Sequence, residues 1–168
     1  IVVKIFPPRL LRNLESEMEA SASSVVGAIS EQGTCDFASD VANRMPMKVI
    51  CDMLSVPESD RDELARLTLQ ALGYGDESVG DATDALQAFY ALNAYGEALG
   101  RERRKAPGDD LMSAMVTAEV ESEHLTDHDI GVYFQLLITA GIETTASSIA
   151  QGMRFLAEHP DQWADWRK

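Results

Sequence analysis

Residues 126–160 read TDHDIGVYFQLLITAGIETTASSIAQGMRFLAEHP. Thr126 is a favoured helix N-cap, Asp127 and Asp129 put negative charge in the first turn, and no proline intervenes before Pro160. The stretch therefore predicts one long helix over about 127–159. Between Ile130 and Met153 the only charged side chain is Glu143. Burying an unpaired carboxylate costs several kcal/mol or raises its pKa, so a helix that keeps one at mid-length either pairs it or uses it.

Working outward, apolar residues recur at helical spacing along nearly the whole chain, and no alternating run bounded by hairpin residues stands out, which makes the fold class all-α. After Pro7-Pro8, the residues Leu11, Leu14, Met18, Ala22, Val25 and Ile29 form one stripe that ends at Gly33. Asp36 to Leu54 reads as a helix interrupted or restarted at Pro46, and Glu58 to Leu72 as the next. Gly73, Gly75 and Gly80, among Asp76, Glu77 and Ser78, read as an exposed loop. Asp81 to Lys105 predicts a long helix with Leu86, Phe89, Leu92 and Leu99 inward, and Asp109 to Val120 a shorter one. Asp161 to Lys168 begins a further helix after Pro160.

The chain has 168 residues, 45% of them hydrophobic, enough for one domain with a real core. Fourteen basic against 28 acidic residues give a net charge of −14, which repels a nucleic-acid backbone and an anionic membrane surface alike. The basic cluster Arg101, Arg103, Arg104 and Lys105 closes a helical stretch, where cations complement the helix dipole. The polar residues from Gln135 to Gln151 argue for a buried helix in a soluble protein rather than a membrane span. Cys35 and Cys51 are too few for a disulfide framework or a zinc knuckle, and free thiols suit a cytoplasmic setting. His124 and His128 are four apart but straddle the cap at Thr126 and lack the glutamate of a zinc-protease motif, so surface histidines are the expectation.

Within Ala140-Gly141-Ile142-Glu143-Thr144-Thr145, positions three and four apart share a face, whereas Glu143 and Thr144 point about 100° apart. Gly141 removes a side chain one turn before Thr144, leaving room for a small ligand or a flat cofactor. Thr144 can return its hydroxyl to the carbonyl of Ala140 and bend the helix. Spacing alone leaves two readings open: proton delivery to a bound ligand, or a glycine that permits helix packing beside an acid paired with an arginine elsewhere.

The six-residue motif resembles the oxygen-activating segment of the cytochrome P450 superfamily, the haem-thiolate monooxygenases. Glu158-His159-Pro160-Asp161-Gln162-Trp163 resembles the turn after that helix in bacterial members, and Asp109-Asp110-Leu111-Met112-Ser113 the short helix before it. Phe6-Pro7-Pro8-Arg9 is similar to the family's Phe-Thr-Pro-Arg turn. Met45-Pro46-Met47, Val49-Ile50 and Met53-Leu54-Ser55-Val56-Pro57 are similar to its Leu-Pro, Val-Ile and Leu-Leu-Gly-Val-Pro pieces, with Ser55 in place of the usual glycine. Ser148 to Met153 and the His-Pro-Asp-Gln-Trp run resemble actinobacterial members that oxidise steroid side chains, terpenoids or branched lipids.

The resemblance implies the helical core of the cytochrome P450 fold, haem b as cofactor, and hydroxylation of an apolar substrate with O₂ and electrons from a ferredoxin or similar donor. Thr144 would hydrogen-bond the oxygen held at the haem, and Glu143 would relay protons to it. Ala140 and Gly141 would pack on the haem, with Thr145 nearby; Leu136 and Thr139 would face substrate, and Leu72 would border its entrance. The family's Phe-x-x-Gly-x-x-x-Cys-x-Gly loop has no counterpart in residues 1–168, no Glu-x-x-Arg helix follows the long helix expected over 127–159, and neither Cys35 nor Cys51 has the flanking residues of an axial ligand. The expectation is an interior fragment of a longer protein, inactive by itself. The rival reading is a non-enzymatic all-α domain that binds a small ligand or a partner.

Overall fold

The computed structural model describes residues 8–30, 33–73, 79–120 and 123–168. Phe6, Pro7 and residues 75–78 of the expected loop lie outside them, as do the side chains of Leu11 and Leu14. Seven helices follow one another among the described residues: α1 (Pro8–Ser30), α2 (Arg44–Met53), α3 (Arg61–Leu72), α4 (Ala82–Lys105), α5 (Leu111–Thr117), α6 (Asp127–Glu158) and α7 (Pro160–Trp166). A π-helical turn, Ala38–Ala42, precedes α2, and a 3₁₀ turn, Glu58–Asp60, precedes α3. The all-α reading holds.

α6 is the 32-residue helix that its sequence announces. Thr126 caps it by accepting from the Asp129 amide while the Asp129 carboxylate accepts from the Thr126 amide, a reciprocal capping box. Asp81 and Asp84 cap α4 in the same way. α6 packs most extensively along α4 and next along α2. The α4 contact is a seam of small residues facing large ones. A Cβ added at Gly96 would stand 2.5 Å from Phe134 Cβ, one at Gly100 2.7 Å from Ile130 Cγ2, and one at Gly131 2.7 Å from the backbone oxygen of Asn93. Phe134, Ile130 and Ile138 are thereby sealed from solvent, each contributing about 1.5–3 kcal/mol through burial. The Tyr95 ring lies tilted against Phe134, 5.4 Å between centroids, and its hydroxyl donates to Asp60 Oδ2 at 2.7 Å, tying α4 to the turn before α3.

Arg104 secures the other end of α6. Its guanidinium donates to Asp127 Oδ1 (3.1 Å), to the Val116 carbonyl (3.1 Å) and to the Leu125 carbonyl, so one side chain joins α4, the end of α5 and the start of α6. The basic cluster does close α4, as expected, but Arg104 does more than complement a dipole.

Four expectations are corrected. Leu86 is 52% exposed, because the buried stripe of α4 runs through Ala85, Ala88, Leu92, Gly96 and Leu99, and position 86 lies off it. The break in residues 36–54 falls at Asn43, between the π-helical turn and α2; Pro46 sits in the first turn of α2, where a missing N–H costs nothing. The helix expected over 109–120 ends at Thr117, and Glu119–Val120 (β1) pairs antiparallel with Glu123–His124 (β2) in a minimal hairpin. Met18, placed in the α1 stripe, is 44% exposed.

Ser55 carries a testable strain. It follows α2 with φ at +52°, its amide bonds the Asp52 carbonyl (3.0 Å), and the Val56 amide bonds the Cys51 carbonyl (2.8 Å), the two bonds of a Schellman stop. A left-handed position suits glycine, and Ser55→Gly is expected to raise stability by about 1 kcal/mol, read as a later urea midpoint at unchanged slope.

Candidate functional site

The middle of α6 presents three directions. Ile138, Ile142 and Ala146 face the core. Leu136, Ala140, Thr144 and Ser148 recur every four residues and all four are exposed, a charge-free row on one face. Thr145 is exposed beside that row. Glu143 opens on yet another side, into a groove of about 930 Å³ that it lines with Ile142 and Ala146, with Met47 on α2 and with Leu69 and Leu72 on α3. Acid and hydroxyl thus diverge as the helical angle requires, and Glu143 is exposed rather than buried. Among the described residues Glu143 takes part in no ion pair, so the bland reading of a structural pair to arginine finds no partner there.

Thr144 returns its hydroxyl to the Ala140 carbonyl at 2.7 Å, as its position predicts. Ser148 repeats the pattern one turn later, donating to the Thr144 carbonyl at 2.8 Å. Sequence reasoning passed over Ser148, although a hydroxyl residue four after Thr144 was the available signal. Gly141 is half-buried toward α2, where an added Cβ would make ordinary contact with Ile50 at 3.8 Å. Its missing side chain is therefore not demanded by packing and leaves room between α6 and α2. Thr139 is only 8% exposed and donates to the Gln135 carbonyl at 2.8 Å. The structure thus joins Leu136, Ala140 and Thr144 on one row and Leu72 with Glu143 in one groove, and sets Thr139 in neither.

Cys51 is fully buried, with its Sγ 3.5 Å from Met47 Sδ. Burial pushes its thiol up to about 11, against the opposing pull of Arg61, so it stays protonated and unsuited to ligating a metal. Cys35 is exposed. His124 lies against Glu119 and His128 against Glu97, and no cluster of three metal-ligating side chains forms among the described residues. None of the described helices is long and apolar enough to cross a membrane.

A protein-family model described as Cytochrome P450 matches residues 76–167. The chain is 32% identical over its whole length to a steroid C26-monooxygenase of Mycolicibacterium smegmatis, covering 39% of that protein. It is also 32% identical to a methyl-branched lipid omega-hydroxylase of Mycobacterium tuberculosis, over 99% of this chain and 40% of the relative. Among solved structures, a Mycobacterium marinum cytochrome P450 in complex with pseudoionone superposes with a TM-score of 0.86 at 32% identity, over 95% of this chain and 40% of that one. The LnmA hydroxylase of Streptomyces atroolivaceus superposes with a TM-score of 0.89 at 27% identity, over 98% of this chain and 42% of that one. The chain thus spans about two fifths of the length of the relatives it matches. A helical frame shared with these enzymes, a family match over more than half the residues, and the Ala140–Thr145 motif on the central helix all lead to one assignment: the chain belongs to the cytochrome P450 family.

Proposed function

We propose that residues 1–168 form the distal, oxygen-handling part of a haem-dependent monooxygenase that hydroxylates an apolar molecule. The observation that carries this reading is the exposed, uncharged row Leu136, Ala140 and Thr144, one residue away from an acid that opens into a separate groove.

The residues fit a haem. Ala140, Gly141, Thr144 and Thr145 are small, and the row they flank carries no charge, so a flat apolar ring can lie against it without clashing or desolvating an ion. Haem b bound here would supply the activation of dioxygen, and neither Cys35 nor Cys51 has the surroundings to hold it. Thr144 holds a hydroxyl proton at the face where oxygen would be handled. Its bond to the Ala140 carbonyl stores that donor until a better acceptor arrives. Glu143 takes protons from water in its groove and passes them across α6 toward Thr144 Oγ1, general-acid work that needs a solvent-connected carboxylate. Leu136 would border the apolar substrate, and Leu72 lines the groove along which substrate would pass. The buried Thr139 contributes by fixing Leu136 on its helix rather than by touching substrate. The named activities of the M. smegmatis and M. tuberculosis relatives point to a steroid side chain or a branched lipid as substrate class. Electrons would come from a ferredoxin or similar donor in the cytoplasm.

Two measurements on the full-length protein test this. The carbon monoxide difference spectrum of the dithionite-reduced form should show the strongly red-shifted Soret band of a thiolate-ligated haem; a well-folded protein without it would end the reading. Thr144→Ala should keep that band yet lower product formed per electron pair at least ~10-fold, with peroxide released instead. Unchanged coupling would remove Thr144 from its role.

A further inference from the structure

Glu143 and Thr144 stand about 100° apart around α6, and the residues one turn away decide what fills the angle between them. Two positions fall in that gap, Ala140 one turn before and Ser147 one turn after. Ala140 offers only a methyl group. Ser147 lies about 40° from Glu143 and about 60° from Thr144, at spacings of four and three residues, where helical side chains are neighbours with about 5–6 Å between their Cβ atoms. It is exposed, and it lines the groove into which Glu143 opens.

The Ser147 hydroxyl is also uncommitted. Thr68, Thr117, Thr139, Thr144 and Ser148 each donate to the carbonyl four residues back, whereas Ser147 makes no such bond, and no other, among the described residues. Thr145 shares that freedom but lies about 200° from Glu143, outside the gap. The cations of the groove do not draw Glu143 away. Arg44 is paired with Asp40 at 3.7 Å, and Lys48 and Arg61 share the carboxylate of Asp52 at 2.9 and 2.7 Å. Ser39 and Asn43 line the groove too, so water that enters it meets polar groups. A free hydroxyl beside a free carboxylate, at a separation that one water spans, suits a water-bridged hydrogen bond.

We propose that Ser147 relays protons from Glu143 to Thr144. A hydroxyl has one proton to give and lone pairs to receive another. Ser147 Oγ takes a proton from the Glu143 carboxyl over one bridging water and gives its own toward Thr144 Oγ1, which accepts it as Thr144 passes its hydroxyl proton on. Both hydroxyls end neutral, and the Glu143 carboxylate regains a proton from groove water. The inference rests on the proposed roles of Glu143 and Thr144 and gives the step across the helix a group that carries it.

The test uses full-length, haem-loaded protein with Ser147→Ala, Glu143→Gln and the double variant. A crystal structure is the first readout and needs no turnover: an ordered water should stand within hydrogen-bond distance of both Ser147 Oγ and the Glu143 carboxylate, and it should be lost in Ser147→Ala. That variant should form product about fivefold more slowly, the equivalent of one hydrogen bond, with its Soret band unchanged. Its ratio of rates in H₂O and D₂O should rise, because proton delivery then limits turnover, which a merely structural loss would not bring about. In the Glu143→Gln background the same substitution should cost nothing further. A wild-type structure without the shared water overturns the proposal. So does an unchanged rate or isotope effect in Ser147→Ala, or a penalty that adds in full to that of Glu143→Gln. A missing thiolate-type Soret band would end the monooxygenase reading and the relay with it, whereas each of the other failures removes Ser147 alone.

Discussion

Gly96→Ala is expected to destabilise the protein by about 1–3 kcal/mol although alanine is the better helix former. The new Cβ would meet Phe134 Cβ at 2.5 Å, and Phe134 is fully buried and cannot retreat. Phe134→Ala should cost more, about 3–5 kcal/mol, by leaving a ring-sized void against Tyr95. The double variant decides whether the contact itself is responsible. Alanine at 134 removes the ring carbons that stand 2.8 and 3.0 Å from the new Cβ but keeps its own Cβ at 2.5 Å, so the second substitution should cost less than it does beside the phenylalanine, without becoming free. Denaturant midpoints of the four proteins give the coupling energy directly; additive penalties would mean that Gly96 matters for some reason other than Phe134.

Arg104→Met is the second large effect, expected at about 2–4 kcal/mol. Methionine keeps much of the aliphatic bulk but leaves the Val116 and Leu125 carbonyls and the Asp127 carboxylate without their shared donor. Asp127 retains a weaker partner in Arg101 at 3.6 Å, which keeps the loss from being larger. Arg104→Lys should recover little, because one ammonium cannot spread donors over three acceptors. Thermal midpoints of the two variants, which should fall together, check this; a lysine variant as stable as the original would reduce the interaction to simple charge pairing.

The parts of this fold that could be read in the sequence are those governed by local chemistry. Thr126 with Asp129, Asp81 at the head of α4, and Pro160 after α6 each mark a boundary through hydrogen bonds within a few residues, and each marks it where the structure has it. Leu86 misled because burial on α4 is decided across space. Where α6 approaches closely, Gly96 and Gly100 are inward residues, and a hydrophobic count gives them little weight. The hairpin after α5 carried no turn signature and is only two residues deep on each side, too short for alternation to register. At the site, angular reasoning separated Glu143 from Thr144 correctly, but the acid's apolar neighbours in sequence suggested burial that the fold does not impose. Those neighbours split between the core face and an open one. Thr139, which the resemblance places beside substrate, is buried and bonds the Gln135 carbonyl, a direction around the helix that its place in the chain did not announce.

The glycine seam between α4 and α6 also bears on how related enzymes can be recombined. Each small position on one helix admits one particular side chain on the other, Phe134 over Gly96 and Ile130 over Gly100, while Gly131 meets backbone at Asn93. Transplanting α6 into a homologue without its α4 would set mismatched bulk against bulk. Chimeras should therefore inherit residues 82–158 as one block, with crossovers placed in the loop before Asp81 or after His159.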